Sequence, residues 1–208
     1  MRFVLVLLLG LAVGAPASAA VHGVVFAPAD DVSLPFLCNW GYDWQERCYR
    51  DNLDRLEFGG AGDKVWRSAL RFQLDALPPG AEVLAAELTL SYDRTCVAPA
   101  RRTAPCTGRG FTIEARPIYT ASWYTRREVA FGPPAASAEI EPDARPERLV
   151  WDLTDTVAAW ASGELPNYGV LLKLADEQED PGVGGPALPS SSYPEAALRP
   201  WLELLYMD

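Results

Sequence analysis

Aromatic side chains are concentrated in one short stretch of the chain, between and beside Cys38 and Cys48. Four of them are Trp40, Tyr42, Trp44 and Tyr49, and the same stretch contains Asn39, Asp43 and Arg47. Aromatic faces stack on the C–H surfaces of sugars, and amide or charged groups hold hydroxyl groups. This composition is typical of a saccharide-binding loop. The alternative is that the rings only cover one end of the folded domain.

Arginine side chains form the one basic zone of the sequence. Seven of them lie within 34 residues: Arg94, Arg101, Arg102, Arg109, Arg116, Arg126 and Arg127. A guanidinium group binds a carboxylate through two parallel hydrogen bonds, so the zone favours a uronic-acid polymer as ligand. We expect Arg101, Arg102 and Arg109 to contact it. The alternative is that strand alternation distributes these side chains over both faces of a sheet, where they pair with Asp or Glu.

Four acidic residues lie together just before Pro181 and Gly182: Asp176, Glu177, Glu179 and Asp180. Carboxylates in a loop are the hard oxygen ligands that calcium prefers, so a structural calcium ion is one interpretation. The acids lack the regular spacing of calcium-binding loops, however. The pattern therefore favours a solvated acidic turn and requires no cofactor, and we interpret Asp30 and Asp31 in the same way.

Residues suited to catalysis are scarce. His22 is the only histidine, which removes the commonest general base and metal ligand from the rest of the chain. The G-x-S-x-G elbow of serine hydrolases does not occur. Glycosidases need two opposed carboxylates, but among 28 Asp and Glu residues a pair can always be found. The sequence therefore predicts no catalytic residue and no enzymatic activity.

The four cysteines form two pairs with the same spacing, Cys38 with Cys48 and Cys96 with Cys106. An even count in an exported chain is typical of disulfides, and four cysteines permit three connectivities. We expect the local pairs Cys38–Cys48 and Cys96–Cys106, because they close short loops rich in Gly, Pro and polar residues. A zinc site is disfavoured because no C-x-x-C pair occurs.

Residues 1–20 have the pattern of a secretory signal peptide. Arg2 precedes an apolar run over residues 3–13, and small residues follow at 15–20. They predict a secreted, extracellular protein that begins at residue 21. No later stretch approaches the roughly 20 consecutive apolar residues of a transmembrane helix, so membrane insertion is not expected. The net charge of −10 at pH 7 repels polyanions and disfavours nucleic acid as a partner.

Alternating hydrophobic residues predict several strands, and these strands position the candidate binding residues named above. The inward positions are Leu70, Phe72 and Leu74, then Leu84, Ala86, Leu88, Leu90 and Tyr92, then Phe111, Ile113 and Ala115, and finally Val170, Leu172 and Leu174 around Lys173. Turn residues at 77–81 separate the first two strands. Apolar runs at 149–153 and 201–206 add two more strands.

One amphipathic helix follows Asp152. Its apolar face contains Leu153, Val157, Trp160 and Ala161, with Thr154 as the N-terminal cap and Gly163 as the terminator. Trp151 and Trp160 are expected in the core. Several strands with a single helix favour an all-β fold, an antiparallel sandwich, and the lack of a linker favours one domain over residues 21–208.

Several of these segments, in this order, resemble DNRLRE domains. The segments are WRSALRFQL at 66–74, LPPGA at 77–81, AAELTL at 85–90, WDLT at 151–154, NYGVLLK at 167–173, SSS at 190–192 and RPWLE at 199–203. The resemblance covers roughly residues 24 to 206 and implies a jelly-roll β-sandwich of exported proteins, some of which bind acidic glycans such as alginate. The cysteine pairs are not part of the family pattern, and we expect a domain without an attached enzyme.

These observations together predict a secreted, non-catalytic protein that resembles carbohydrate-binding modules. Its expected partner is a cell-envelope or environmental polysaccharide. One alternative is a structural or adhesive cell-envelope domain that binds a protein through a flat hydrophobic patch. A weaker alternative is a polysaccharide lyase or hydrolase.

Overall fold

The structure, a computed structural model, describes residues 20–35, 50–51, 54–61, 64–97, 103–121, 129–177 and 184–208. Its strands form two antiparallel sheets that pack face to face. The four-stranded sheet contains, in spatial order, β1 (Val21–Phe26), β14 (Trp201–Met207), β6 (Glu82–Tyr92) and β11 (Glu147–Asp152). The main path of the ten-stranded sheet contains β10 (Ala136–Ile140), β9 (Phe111–Pro117), β12 (Val170–Leu174), β5 (Lys64–Arg71), β4 (Arg55–Ala61), β13 (Gly184–Pro189), β7 (Thr95–Val97) and β8 (Thr103–Pro105).

Two further strands belong to the larger sheet. β2 (Asp30–Pro35) pairs with β5, and β3 (Arg50–Asp51) pairs with β2. The prediction of an all-β antiparallel sandwich is confirmed. In the described part of the chain the only α-helix is α1 (Thr154–Ser162), which agrees with the single helix expected from the sequence.

Side-chain alternation along the strands builds the core between the two sheets. Leu88 and Leu90 of β6 and Ile113 of β9 are fully buried, as the sequence predicts. Trp151 of β11 is also fully buried, and its indole nitrogen donates to the carbonyl oxygen of Ile113 at 2.9 Å. That hydrogen bond joins the two sheets, since β11 and β9 belong to different ones.

Three strand predictions need correction. β5 spans Lys64–Arg71, so the predicted strand positions Phe72 and Leu74 lie beyond its end, because the pairing with β2, β4 and β12 stops at Arg71. Leu84, predicted to face inward, is 41% exposed, because a β-bulge in the pairing of β6 with β14 turns it outward. Lys173, expected to face solvent between buried neighbours, is itself buried.

The helix begins and ends largely as expected, but its cap differs. Asp152, and not Thr154, supplies the oxygen at the N-terminus, because its Oδ1 accepts hydrogen bonds from the Thr154 backbone nitrogen and hydroxyl. The Thr154 hydroxyl oxygen in turn accepts from the Ala86 nitrogen of β6. Gly163 ends the helix in the left-handed region with φ of 78°, whereas Ala161 is exposed rather than buried. Within the described ranges no helix is long and apolar enough to cross a bilayer.

A disulfide joins Cys96 of β7 to Cys106 just after β8, which confirms the second predicted pair. Arg94 precedes β7 with a positive φ of 66°, and its guanidinium donates to the Cys106 carbonyl oxygen at 3.4 Å. The expected Cys38–Cys48 bond lies outside the described residues.

Removing this disulfide with Cys96→Ser and Cys106→Ser together should lower the free energy of unfolding by about 2–3 kcal/mol. The bond closes a short ring, and losing it restores conformational freedom to the unfolded chain. Urea denaturation measures the change, with Thr107→Ala, an exposed position just after the ring, as control. An unchanged unfolding midpoint in the double variant would contradict the expectation.

Candidate functional site

Five charged side chains form a connected network on the outer face of the ten-stranded sheet. Arg67 of β5 donates two parallel hydrogen bonds of 2.7 Å each to Glu177, which follows β12. Glu114 of β9 accepts a hydrogen bond of 2.8 Å from Arg116 on the same strand. Lys173 of β12 lies between the carboxylates, with Nζ 3.6 Å from Glu114 and 3.8 Å from Glu177. We call these five residues the charge network.

The sheet register brings the charge network together. Lys173 is directly opposite Glu114 on β9, and Leu172 is opposite Ser68 on β5, which places Arg67 beside Lys173 on the other side. Successive strand residues point to opposite faces. Leu172 therefore enters the core while Lys173 faces outward, so the strands that build the core also fix the network.

Lys173 has donors that its present contacts do not fully use. Its Nζ donates one hydrogen bond, of 2.6 Å, to the Leu174 carbonyl oxygen. The contacts with Glu114 and Glu177 are longer than hydrogen bonds. An ammonium group has three donors, so Lys173, whose side chain is 10% exposed, retains capacity for one further oxygen acceptor.

Phe131 fixes the two arginines of the charge network. Its ring lies 5.3 Å from the guanidinium carbon of Arg67 and 5.5 Å from that of Arg116, which is the range of cation–π contacts. Arg116 also donates to the Gly132 carbonyl oxygen at 3.0 Å, and the Gly132 nitrogen donates to the Pro117 carbonyl oxygen at 2.9 Å. The positions of the charged groups are therefore set before any ligand arrives.

A second hydrophobic cluster lies on the same outer face. Its buried members are Val32, Ala69, Ile118, Val129 and Leu171. Because this cluster is separate from the main core, hydrophobic packing on the outer face helps to hold the strands that carry the charge network.

The arginines of the predicted basic zone that the structure describes do not come together. Arg109 precedes β9 and stacks on Phe111, whereas Arg116 lies near the other end of that strand, about 20 Å of extended chain away. Arg94 is bound to the disulfide loop. The remaining predicted residues lie outside the described ranges: Trp40, Tyr42, Trp44, Tyr49, Arg101, Arg102, Arg126 and Arg127.

The segment with the predicted aromatic residues is attached beside the charge network. Residues 36–49 follow Pro35 of β2, which pairs with Trp66, and the preceding residue, Leu34, pairs with Arg67. The segment ends at β3, which pairs with β2 in the same sheet. The described residues on either side of the aromatic segment, Pro35 and Arg50, therefore lie in the part of the sheet next to Arg67.

Three of the predicted acidic residues, Glu177, Asp30 and Asp31, have partners within the protein, whereas Glu179 and Asp180 lie outside the described residues. Glu177 binds Arg67, which corrects its assignment to a solvated turn. Asp31 accepts hydrogen bonds from the backbone nitrogen and, at 2.8 Å, the hydroxyl of Ser191, and Asp30 pairs with Arg71. Among the residues that the structure describes, no three His, Cys, Asp or Glu side chains are grouped to hold a metal ion.

A cleft of about 430 Å³ lies at the start of α1. Pro117, Asp152 and Asp155 are among its lining residues. The side-chain and backbone hydrogen bonds from Thr154 lower the pKa of Asp152 below its ordinary value. A carboxyl group that is held ionised is unsuited to the general-acid role that glycoside hydrolysis requires.

Sequence reasoning missed Arg67, Glu114 and Phe131 as members of a site. One signal was present: Lys173 interrupts an apolar run of five residues that is buried throughout. A cation inside such a run needs partners on neighbouring strands. The identity of those partners depends on the register of three strands that are distant in sequence.

No protein-family model matches the chain, and no curated protein sequence matches it. The resemblance to DNRLRE domains therefore stays a prediction that rests on the segments quoted from the sequence. Function has to be inferred from the geometry of the chain itself.

Proposed function

We propose that this protein is a secreted, non-catalytic carbohydrate-binding module whose polysaccharide ligand binds at the charge network and the adjoining aromatic segment. The observation that carries the proposal is that Leu34, two residues before the segment that contains Trp40 and Trp44, pairs in register with Arg67. Aromatic faces and charged donors then act on one ligand, which is the combination that saccharide sites use.

The charge network favours oxygen-rich, anionic sugars. A uronate carboxylate can accept a hydrogen bond from Lys173 and lies within the reach of the neighbouring Arg116. The net charge of −10 opposes polyanions at long range, so local donor geometry has to select the ligand. Neutral polysaccharides belong to the same proposal, because hydroxyl groups accept from the same donors.

The proposal is tested by incubating residues 21–208 with an array of neutral and acidic polysaccharides and measuring each retained ligand by calorimetry. We expect retention of at least one glycan and no release of reducing or unsaturated ends. A protein that is folded by circular dichroism yet retained on no polysaccharide would remove the glycan hypothesis.

Lys173→Met should weaken binding to a retained polysaccharide about tenfold. Methionine keeps the approximate length of the side chain but removes its charge-assisted hydrogen bonds, which contribute about 1.5–3 kcal/mol each. Arg148→Gln on the opposite sheet is the matched control and should bind like the parent protein. Equal affinity of Lys173→Met and the parent would place the ligand elsewhere.

Trp40→Ala and Trp44→Ala separate ligand stacking from packing. If the rings stack on sugar, each change should weaken binding by about 1–3 kcal/mol and leave the melting temperature nearly unchanged. A lower melting temperature with unchanged affinity would assign these residues to the core.

A further inference from the structure

The opposite side of the sandwich carries an unusual concentration of exposed apolar side chains. The structure describes six large hydrophobic residues as strongly exposed, and five lie on the outer face of the four-stranded sheet. They are Val21 at 62%, Val25 at 61%, Val150 at 45%, Leu205 at 42% and Leu84 at 41%. They come from all four strands, so they form part of one continuous face.

A row of carboxylates crosses the same face. Glu203 of β14 is directly opposite Glu87 of β6, and Glu87 is directly opposite Asp152 of β11. Like charges in opposing positions destabilise a sheet. Neither Glu87 nor Glu203 makes an ion pair anywhere in the part of the chain that the structure describes. We call Glu203, Glu87 and Asp152 the acidic row.

Apolar residues flank the acidic row on both sides. Val150 and Trp201 occupy the neighbouring register positions on one side, and Ala85 and Leu205 occupy those on the other. Among the described strands of this face the cation is Arg148, which pairs in register with Ser91 and lies 4.8 Å from the Trp201 ring. The acidic row therefore has no compensating charge at its own register positions.

We propose that this face docks a polypeptide of another protein that presents basic side chains between apolar ones. Cations placed over the acidic row would relieve its repulsion, and apolar neighbours would cover the exposed valines and leucines. A second copy of the chain is disfavoured, because it would oppose an identical acidic row in a protein that already has a charge of −10. The inference concerns a surface separate from the charge network and does not depend on glycan binding.

The test uses designed peptides of alternating valine and lysine, with valine–glutamate and valine–serine peptides of equal length as controls. Binding of each labelled peptide to residues 21–208 is measured by fluorescence anisotropy at low and high salt. We expect the lysine peptide to bind more tightly than both controls and to weaken with salt. Equal binding of all three peptides would overturn the proposal.

Paired variants locate the binding. Glu87→Gln with Glu203→Gln should weaken the lysine peptide about fivefold and raise the melting temperature by about 1–3 °C, because the repulsion is removed. Glu139→Gln with Glu164→Gln, two exposed acids elsewhere, should do neither. Unchanged peptide affinity in the first pair would overturn the inference, whatever happens to the melting temperature.

The same experiments distinguish the other occupants. Light scattering that shows a dimer, dissociated by Leu205→Ser, would assign the face to a second copy and overturn the proposal. Binding to zwitterionic vesicles that is lost with the same variant would assign it to a membrane surface and overturn it as well.

Discussion

Trp151→Ala should lower the free energy of unfolding by about 3–5 kcal/mol, a large part of the stability of an ordinary domain. Trp151 is fully buried, and truncation removes its contacts with both sheets. It also removes the donor for the Ile113 carbonyl oxygen, which then stays buried without that partner. Urea or thermal unfolding followed by fluorescence or circular dichroism measures the loss.

Two other variants divide this effect into its parts. Trp151→Phe keeps most of the apolar contact but has no indole donor, so its free energy of unfolding should lie between that of the parent protein and that of Trp151→Ala. Val150→Ser, at the exposed neighbouring position, should change stability by less than about 0.5 kcal/mol. A Trp151→Ala protein that unfolds within 1 kcal/mol of the parent, a threshold set at about the average mutational effect, would show that the two sheets do not depend on this contact.

Asp93→Asn should lower the free energy of unfolding by about 2–3 kcal/mol at neutral pH. Asp93 follows β6 and accepts two hydrogen bonds from Arg55 of β4, at 3.0 and 2.7 Å, which tie the ends of two strands in different sheets. Both side chains are largely buried, so removing the charge leaves Arg55 without its bidentate partner. Asp176→Asn, at an exposed position, is the matched control.

The effect of Asp93→Asn should depend on pH. Burial alone would raise the pKa of Asp93, but the hydrogen bonds from Arg55 and Thr95 and the guanidinium charge lower it overall below 3.8. A carboxyl group whose pKa is lower in the folded state stabilises above its unfolded pKa, and this contribution is lost as the pH falls through the folded value. The difference in the free energy of unfolding between the parent protein and Asp93→Asn should therefore be constant above about pH 5 and shrink below pH 4. A difference that grows in acid would contradict the assignment.

The strands that local alternation predicts are those with one covered face and one open face. The first half of β6 is an example, because Ala86 and Leu88 are buried as predicted and Glu87 between them is exposed, whereas Thr89 and Ser91 further along are buried as well. β12 shows the limit of this reasoning. Both of its faces are covered and all five residues are buried, so alternation places Lys173 on the outer face but does not indicate that this face is buried. β13 is even more difficult to predict from sequence. Its Gly and Pro residues disfavour a strand, and its pairing with β4 and β7 is entirely non-local.

The candidate site was less accessible to sequence reasoning than the fold. Residue types indicated sugar chemistry at Trp40 and Trp44, but the partners of Lys173 come from β5, β9 and the residues after β12. Contacts between segments so distant in the chain follow from strand order, which hydrophobic patterning does not specify. Arg116 illustrates the point: it was grouped with Arg109 by proximity in sequence, whereas strand length separates them and strand pairing joins Arg116 to Lys173 through Glu114.

The pairing of β14 between β1 and β6 has a consequence for how the chain acquires its structure. Residues 201–207 come later in the sequence than every other described strand, yet they occupy an interior position of their sheet. Until they emerge, β1 has no neighbour in that sheet and the core surface of β6 is only partly covered. Assembly of this sheet must therefore wait for residues 201–207, and the large sequence separation between β1 and β14 makes this a slow-folding topology that leaves apolar strands exposed to aggregation in the meantime.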